Sequence, residues 1–224
     1  NKNFFKSRSL YKAPLSKRKA LKIVESSYLA AATALIWIAL YYLPIGGAVF
    51  RLALPLPLVL LQIRRGVKTG IEGVTICVML LTALMGPLRG PLVLFPYGLL
   101  SLWLGYSWQK GWNWWLSWSV GVSIGTMGFL IRVLVLSILV GENLWVILTR
   151  AGAGLLEKGI DIFNLSFTPD MRQVQVVALF LIITQEIVYV LCLHALAYWI
   201  FPRLKSSIPE PPALLENLIS LESN

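Results

Sequence analysis

The residues best placed to do chemistry are Arg132 and Glu186, because each is an ionisable group set inside a long apolar stretch of sequence. A charge at membrane depth is expensive unless it is paired or faces a wet cavity. The two therefore read either as a structural ion pair that fixes helix packing or as a ligand-binding or gating pair. Gln185 and Tyr189 are polar neighbours of Glu186, with Tyr189 three residues on and so roughly on the same helical face. Counted from the nearer loops, the two charges differ in depth by roughly 5 Å, so consecutive antiparallel helices would bring them together. Glu72 and Arg51 lie nearer the ends of their apolar stretches and read as snorkelling groups.

Covalent chemistry has little to work with. The single histidine, His194, lies near the end of the last apolar stretch and reads as a satisfied or snorkelling side chain rather than a catalytic base. Cys77 and Cys192 both fall within apolar stretches and imply neither a disulfide framework nor, with one histidine, a metal cluster. No phosphate-cradling loop of the GxxxxGK type is present, so the chain is not expected to be its own ATPase. We expect no catalytic residues, no metal and no cofactor.

The elements that must position these residues are membrane helices. Hydrophobic residues make up 57% of the chain and charged residues 13%, with a mean hydropathy of +0.73. Apolar surface on that scale is tolerated by lipid-facing helices, each needing roughly 20 residues to cross a hydrocarbon core. The expected fold is all-α and polytopic, with six transmembrane helices in one bundle near 24–43, 46–63, 69–86, 91–108, 115–140 and 174–201. The second should be kinked by Pro55 and Pro57, which remove backbone donors. A basic tail, 1–23, precedes this membrane domain, 24–201, and a Pro-rich tail, 202–224, follows it. The basic start runs into a full-length span with no small-residue cleavage pattern, so no signal peptide is read, although a chain beginning at Asn1 is compatible with processing.

Fourteen of the 20 lysines and arginines fall on the side that holds both tails, including Lys17, Arg18, Lys19, Lys22, Arg64, Arg65, Lys68, Lys110, Arg203 and Lys205. The positive-inside rule then places both termini in the cytoplasm, or in the stroma of a plastid. The formal charge of +10 is thereby mostly a topology signal, with attraction to anionic lipid as a second effect. Nucleic-acid binding is not expected, since the cations flank spans and lack interleaved aromatics.

Small residues form a strip on the first helix: Ala30 with Ala34, and Ser27 with Ala31, each four apart. Such a strip lets another backbone approach closely, either within the bundle or in a partner. Trp103, Trp108, Trp112, Trp114, Trp115 and Trp118 cluster around one short loop and read as an interfacial belt. Gly121, Gly125 and Gly128 follow at spacings that favour close helix approach. The longest connection, 142–173, carries Leu144, Ile147, Leu148, Ala151 and Leu155 at helical spacing, which predicts an amphipathic helix that caps the bundle or acts as a lid. A second amphipathic helix is predicted over 213–219, after the Pro-rich turn at 209–212.

The first third combines the AxxxA helix with a Leu43-Pro44 end, a Pro-interrupted segment from Phe50 to Pro57, a basic turn from Arg64 to Gly70, and a third span ending Met85-Gly86-Pro87. It resembles the substrate-binding S-components of energy-coupling-factor transporters. Nearly the whole chain, including Gly128 to Arg132, Gly141 to Val146 and Ile208 to Pro212, resembles the DUF2232, YybS-related family of six-span membrane proteins common in cyanobacteria. The S-component resemblance implies capture of a small molecule from outside. It also implies docking through the first-helix strip, Ala30 and Ala34 flanked by Ser27 and Ala31, onto a membrane scaffold, with separate ATPases driving release.

Two functions follow as expectations. One is a solute-binding transport subunit with a polar cavity beneath 142–173. The other is a structural or assembly factor with a closed apolar core, packed against a larger and perhaps photosynthetic membrane complex. The family resemblance implies a cyanobacterial plasma or thylakoid membrane, or a plastid membrane, as its place.

Overall fold

The computed structural model describes residues 16–162, 170–206 and 208–212, with the backbone alone at Ala151 and Leu155. The described residues are helical throughout, without a strand. Helix α1, Lys17–Tyr42, starts at Ser16, whose side chain accepts the Lys19 N–H, and stops before Pro44. Gly46 then takes a left-handed conformation (φ 86°) that turns the chain into α2, Gly47–Ala53. Pro55 separates α2 from α3, Leu56–Arg65, yet Leu54 and Pro55 keep helical dihedrals, so the second span continues through an interruption of its helical hydrogen bonds at the prolines. Helix α4, Val67–Met85, runs back across the bundle.

The expected fourth span, 91–108, is not one helix. Pro91 opens a single 3-10 turn to Leu94, a cis Phe95–Pro96 bond follows, and only Tyr97–Gln109 forms a regular helix, α5. Each proline withholds a backbone donor, which is why the apolar run does not wind continuously. Among the described residues, five helical stretches are long and apolar enough to cross a membrane: α1, α2 with α3, α4, and the helices Trp114–Val140 and Met171–Ile200, named α6 and α8 below. The thirteen-residue α5 is shorter than these and lies in the protein interior, packed between α3 and α6.

Helices α6, Trp114–Val140, and α8, Met171–Ile200, form a long antiparallel pair. Helix α7, Leu144–Ile162, packs across their far end and occupies the first part of the predicted amphipathic segment. The predicted helix at 213–219 and residues 1–15 lie outside the described residues. The two described ends of the chain meet. Arg64, at the end of α3, bonds Glu25 on α1 (2.8 Å), the Ser206 hydroxyl (3.3 Å) and the Leu204 carbonyl, and Arg65 also pairs with Glu25. We call this the tail end of the bundle and the opposite one the distal end.

The small-residue strip on α1 faces inward. Ala30 and Ala34 are 0% and 1% exposed and share a core with Cys77 and Leu81 of α4, Leu92, Val93 and Trp37. The close approach that they permit is made within the chain, by α4. Of the four residues expected to form a partner-docking face, Ser27 is exposed and Ala31 partly so, while Ala30 and Ala34 are covered by the bundle.

Candidate functional site

Helices α6 and α8 pack in a fixed register. Ser117 meets His194, a Cβ at Gly121 would touch Val190, and a Cβ at Gly125 would collide with the Glu186 carboxyl. Each step of four along α6 is matched by a step of four back along α8, which is the repeat expected of neighbouring helix faces. Continued outward, this register sets Arg132 level with Leu179. Glu186 lies seven residues further along, or about 10 Å at the helical rise. The expected pairing of Arg132 with Glu186 is thus not made. The cause is the start of α8, which begins at a capping box formed by Asp170 and Gln173, three residues before the apolar run suggests, and so sets Glu186 almost a turn deeper.

Arg132 instead turns to α1. Its guanidinium donates to the Tyr41 hydroxyl (3.0 Å) and lies 5.2 Å from the centre of the Trp37 ring, a distance at which a cation is attracted by the aromatic face. Tyr41 is one residue from the end of α1, so Arg132 is nearer the distal surface than the length of α6 implies.

Glu186 is 6% exposed, and its Oε2 has no hydrogen-bond partner. Gly125 makes this placement sterically feasible, because the missing Cβ leaves the space that the carboxyl occupies. Counted from Trp114, Gly125 lies about 16 Å up α6, near the middle of a 30 Å hydrocarbon core. Ionising a carboxyl there without a partner would cost several kcal/mol.

Around these charges runs a ladder of rings. Trp37 is edge-on to Tyr97 at 5.7 Å, and Tyr97 to Tyr189 at 6.3 Å. The Tyr189 hydroxyl donates to the Arg51 carbonyl (2.9 Å), which ties α8 to the short helix α2. Arg51, read from sequence as a snorkelling group, has its charge within electrostatic reach of Glu186 and Tyr97. The three ion pairs among the described residues involve neither of them: Lys22–Glu72, Arg64–Glu25 and Arg65–Glu25. Gln185 is exposed and lines a groove between α2 and α8 with Leu40, Gly47, Ala48, Leu52 and Val188.

The structure therefore brings Glu186 and Tyr189 into one cluster with Trp37, Arg51 and Tyr97, places Arg132 at its distal edge and Gln185 on its outer side. Trp37, Tyr41, Arg51 and Tyr97 were not legible as site residues, since their contacts join helices 50 to 140 positions apart. The prolines around Arg51 were the one available signal, marking a short helix inside the bundle.

Toward the tail end the polar residues are bound to one another. His194 is fully buried; its Nδ1 donates to the Val190 carbonyl (2.8 Å), which leaves Nε2 to accept from the Ser117 hydroxyl (3.1 Å). Ser117 also meets Ser107 (2.8 Å), and Trp103 donates to the Ser117 carbonyl (3.0 Å). Trp108 stands edge-on to the imidazole (4.9 Å) and Trp114 lies tilted against it (5.2 Å); both are buried, while Trp115 is exposed, so the tryptophan cluster divides between interior and surface. This Ser–His contact lies in closed packing, and its shared bonds hold α5, α6 and α8 together. Among the described residues no group of three or more His, Cys, Asp or Glu is arranged to hold a metal.

The model of a family described as "Predicted membrane protein (DUF2232)" matches residues 30–217. No curated protein matches the chain, and no solved structure does.

Proposed function

The chain belongs to the DUF2232 family of predicted membrane proteins, and from that premise we propose that it is a solute-binding membrane subunit of the S-component type, doing no covalent chemistry itself. The observation that supports this reading most directly is Glu186, a buried carboxyl with an unpartnered oxygen and no ion pair among the described residues. A group kept at that energetic disadvantage is explained by a partner that arrives from outside. The aromatic ladder of Trp37, Tyr97 and Tyr189 packs in the same part of the bundle, and Arg132 stands at its distal edge.

In this reading the tail end, with Arg64, Arg65 and the lysines of α1, faces the cytoplasm or stroma, and the solute comes from the other side. Docking on a scaffold served by separate ATPases runs through surfaces other than Ala30 and Ala34, which the bundle itself covers. The test is gentle extraction of tagged protein from its native membrane, with mass spectrometry of co-purifying proteins and small molecules. A stoichiometric solute that is lost in Glu186→Gln, or ATPases with a membrane scaffold, is the expected result. Subunits of a larger complex with no solute would overturn it in favour of an assembly factor.

A further inference from the structure

Helices α1 and α4 both start at the tail end and pack side by side, and an open groove lies between their first turns. Its α1 wall carries Lys19, Lys22, Ile23 and Ser27, one face of the helix at spacings of three and four. Its α4 wall carries Ile71, Glu72 and Ile76. From Lys19 to Ser27 the groove runs about 12 Å, and Ile76 lies about 14 Å past the start of α4. The groove therefore opens at the tail surface and ends within one leaflet of a hydrocarbon core about 30 Å thick.

Polar and apolar groups are graded along this depth. Lys19 stands exposed at the mouth and makes no ion pair among the described residues. Lys22, a turn deeper, meets Glu72 at 2.9 Å, with 35% and 42% of the two side chains exposed. A pair that open to solvent is weak and exchanges readily with another anion. Glu25, the other acid on this stretch of α1, is held by Arg64 and Arg65. Two cations against one acid leave the groove with a net positive charge. Further in, Ile23, Ile71 and Ile76 are exposed, and the exposed Ser27 hydroxyl has no hydrogen bond among the described residues. The neighbouring hydroxyls of Ser26 and Thr75 are already committed to the Lys22 and Ile71 carbonyls. Cations at the surface, a free hydroxyl below them and apolar walls repeat the order of a phospholipid: phosphate, ester carbonyl, acyl chain.

We infer that this groove holds one anionic phospholipid of the tail-side leaflet, its phosphate on Lys19 and Lys22, an ester carbonyl accepting from Ser27, and an acyl chain along Ile23, Ile71 and Ile76. The inference goes beyond the solute-binding reading and is independent of it, since neither Glu186 nor the aromatic ladder takes part. Charge complementarity favours an anionic headgroup over a zwitterionic one, whose own cation would meet Lys19. Glu72 competes with the phosphate for Lys22, so it weakens the site that it lines.

Met79, exposed one turn beyond Thr75 on the same side of α4, is the place for a reporter. A thiol-reactive fluorophore is attached at Met79→Cys in the full chain with Cys192→Ser, which removes the exposed thiol and leaves the buried Cys77. The protein is reconstituted in phosphatidylcholine bilayers and titrated with phosphatidylglycerol or phosphatidylcholine carrying a nitroxide near the end of the acyl chain. Phosphatidylglycerol is expected to quench at a mole fraction about threefold lower than phosphatidylcholine, or less. Lys19→Ala with Lys22→Ala should abolish that preference, and Glu72→Gln, which frees Lys22, should about double it. Lys110→Ala and Arg203→Ala, at tail-end cations outside the groove, leave it unchanged. Equal quenching by both lipids with the groove unaltered, or no gain in Glu72→Gln, overturns the inference. A loss in Lys110→Ala as large as in the lysine pair also overturns it, in favour of diffuse attraction to the surface. Glycerol phosphate added at millimolar concentration should leave the labelled lipid in place; displacement would assign the two lysines to a soluble phosphate instead.

Discussion

Charges at the two ends of this bundle are handled in opposite ways. At the tail end Arg64 and Arg65 share Glu25, Lys22 pairs with Glu72, and Arg64 also holds Ser206 and the Leu204 carbonyl. Among the described residues of the middle and distal part, Arg51 and Glu186 have no ion-pair partner, and Arg132 meets a hydroxyl and a ring. Neutral polar atoms are left over in both halves, Gln62 Oε1 and Trp108 Nε1 among them, so the contrast is one of charge rather than of hydrogen bonding in general. An unmade neutral bond costs about 1–3 kcal/mol, whereas an unpaired buried charge costs several. A buried position where a charge could form only with a partner is where a ligand has something to gain.

The comparison separates substitutions that should unfold the protein from those that should only empty it. The largest loss of stability is expected from Ala30→Leu combined with Ala34→Leu. Both positions are closed against α4, and overpacking costs about 1–3 kcal/mol per site, so the pair should lower stability by about 3 kcal/mol or more. A free docking face would tolerate the change. Denaturant titration of the purified protein in micelles decides between them, and a stable double variant that merely loses a partner would restore the strip as an outer surface.

His194→Ala comes next. It removes a ring packed between Trp108 and Trp114 and leaves the Ser117 hydroxyl without its acceptor, for a loss of about 3 kcal/mol. If the tail half is structural, thermal unfolding drops while the solute content of the protein that remains folded is unchanged. Selective loss of solute at intact stability would move the site to the wrong end of the bundle.

The sequence carries these two regions unequally. Helices α1, α4 and α6 follow from long apolar runs, and the interruption near Arg51 follows from Pro55. Hydropathy alone overlooks Pro91 and Pro96, whose restrictions turn an apolar window into a turn and the short interior helix α5. It also starts α8 late, although Asp170 followed by Gln173 is a readable capping pattern. That shift of three residues is enough to change the partner of Glu186. Glu186 and Tyr189 are legible as intramembrane polar residues, but their neighbours Trp37 and Tyr97 are apolar or amphipathic residues in apolar helices, and no local pattern distinguishes them. A small-residue strip shows that something approaches closely; it does not say whether that is α4 or another protein.

A smaller effect is expected from Arg64→Ala. Its bonds to Glu25, Ser206 and Leu204 are partly exposed to solvent and screened, so about 1–2 kcal/mol is lost. The local consequence is sharper than the global one. Among the described residues, Ser206 and 208–212 lose one anchor and keep the Ser206 N–H bond to the Phe201 carbonyl (2.9 Å), the buried Ile208 and the Trp114 bond to the Pro209 carbonyl (2.7 Å). Limited proteolysis should cleave the variant there before the bundle opens, and equal cleavage of both proteins would show that the remaining contacts suffice to hold the segment.

The smallest change in stability is expected where the unpaired charge is largest in consequence, at Glu186→Gln. The substitution keeps the shape that fits against Gly125 and replaces a carboxyl that no cation contacts, so stability should hold within about 0.5 kcal/mol or rise slightly. A structural ion pair behaves in the opposite way, since taking one partner leaves the other buried and uncompensated, at about 3–5 kcal/mol. Unfolding measured on Glu186→Gln alone and together with Arg51→Gln therefore separates the two cases. Near-additive, near-zero effects leave the carboxyl free for a ligand, whereas a strong coupling between positions 186 and 51 would show that the two charges already serve each other and that the contrast between the ends of the bundle is one of distance only.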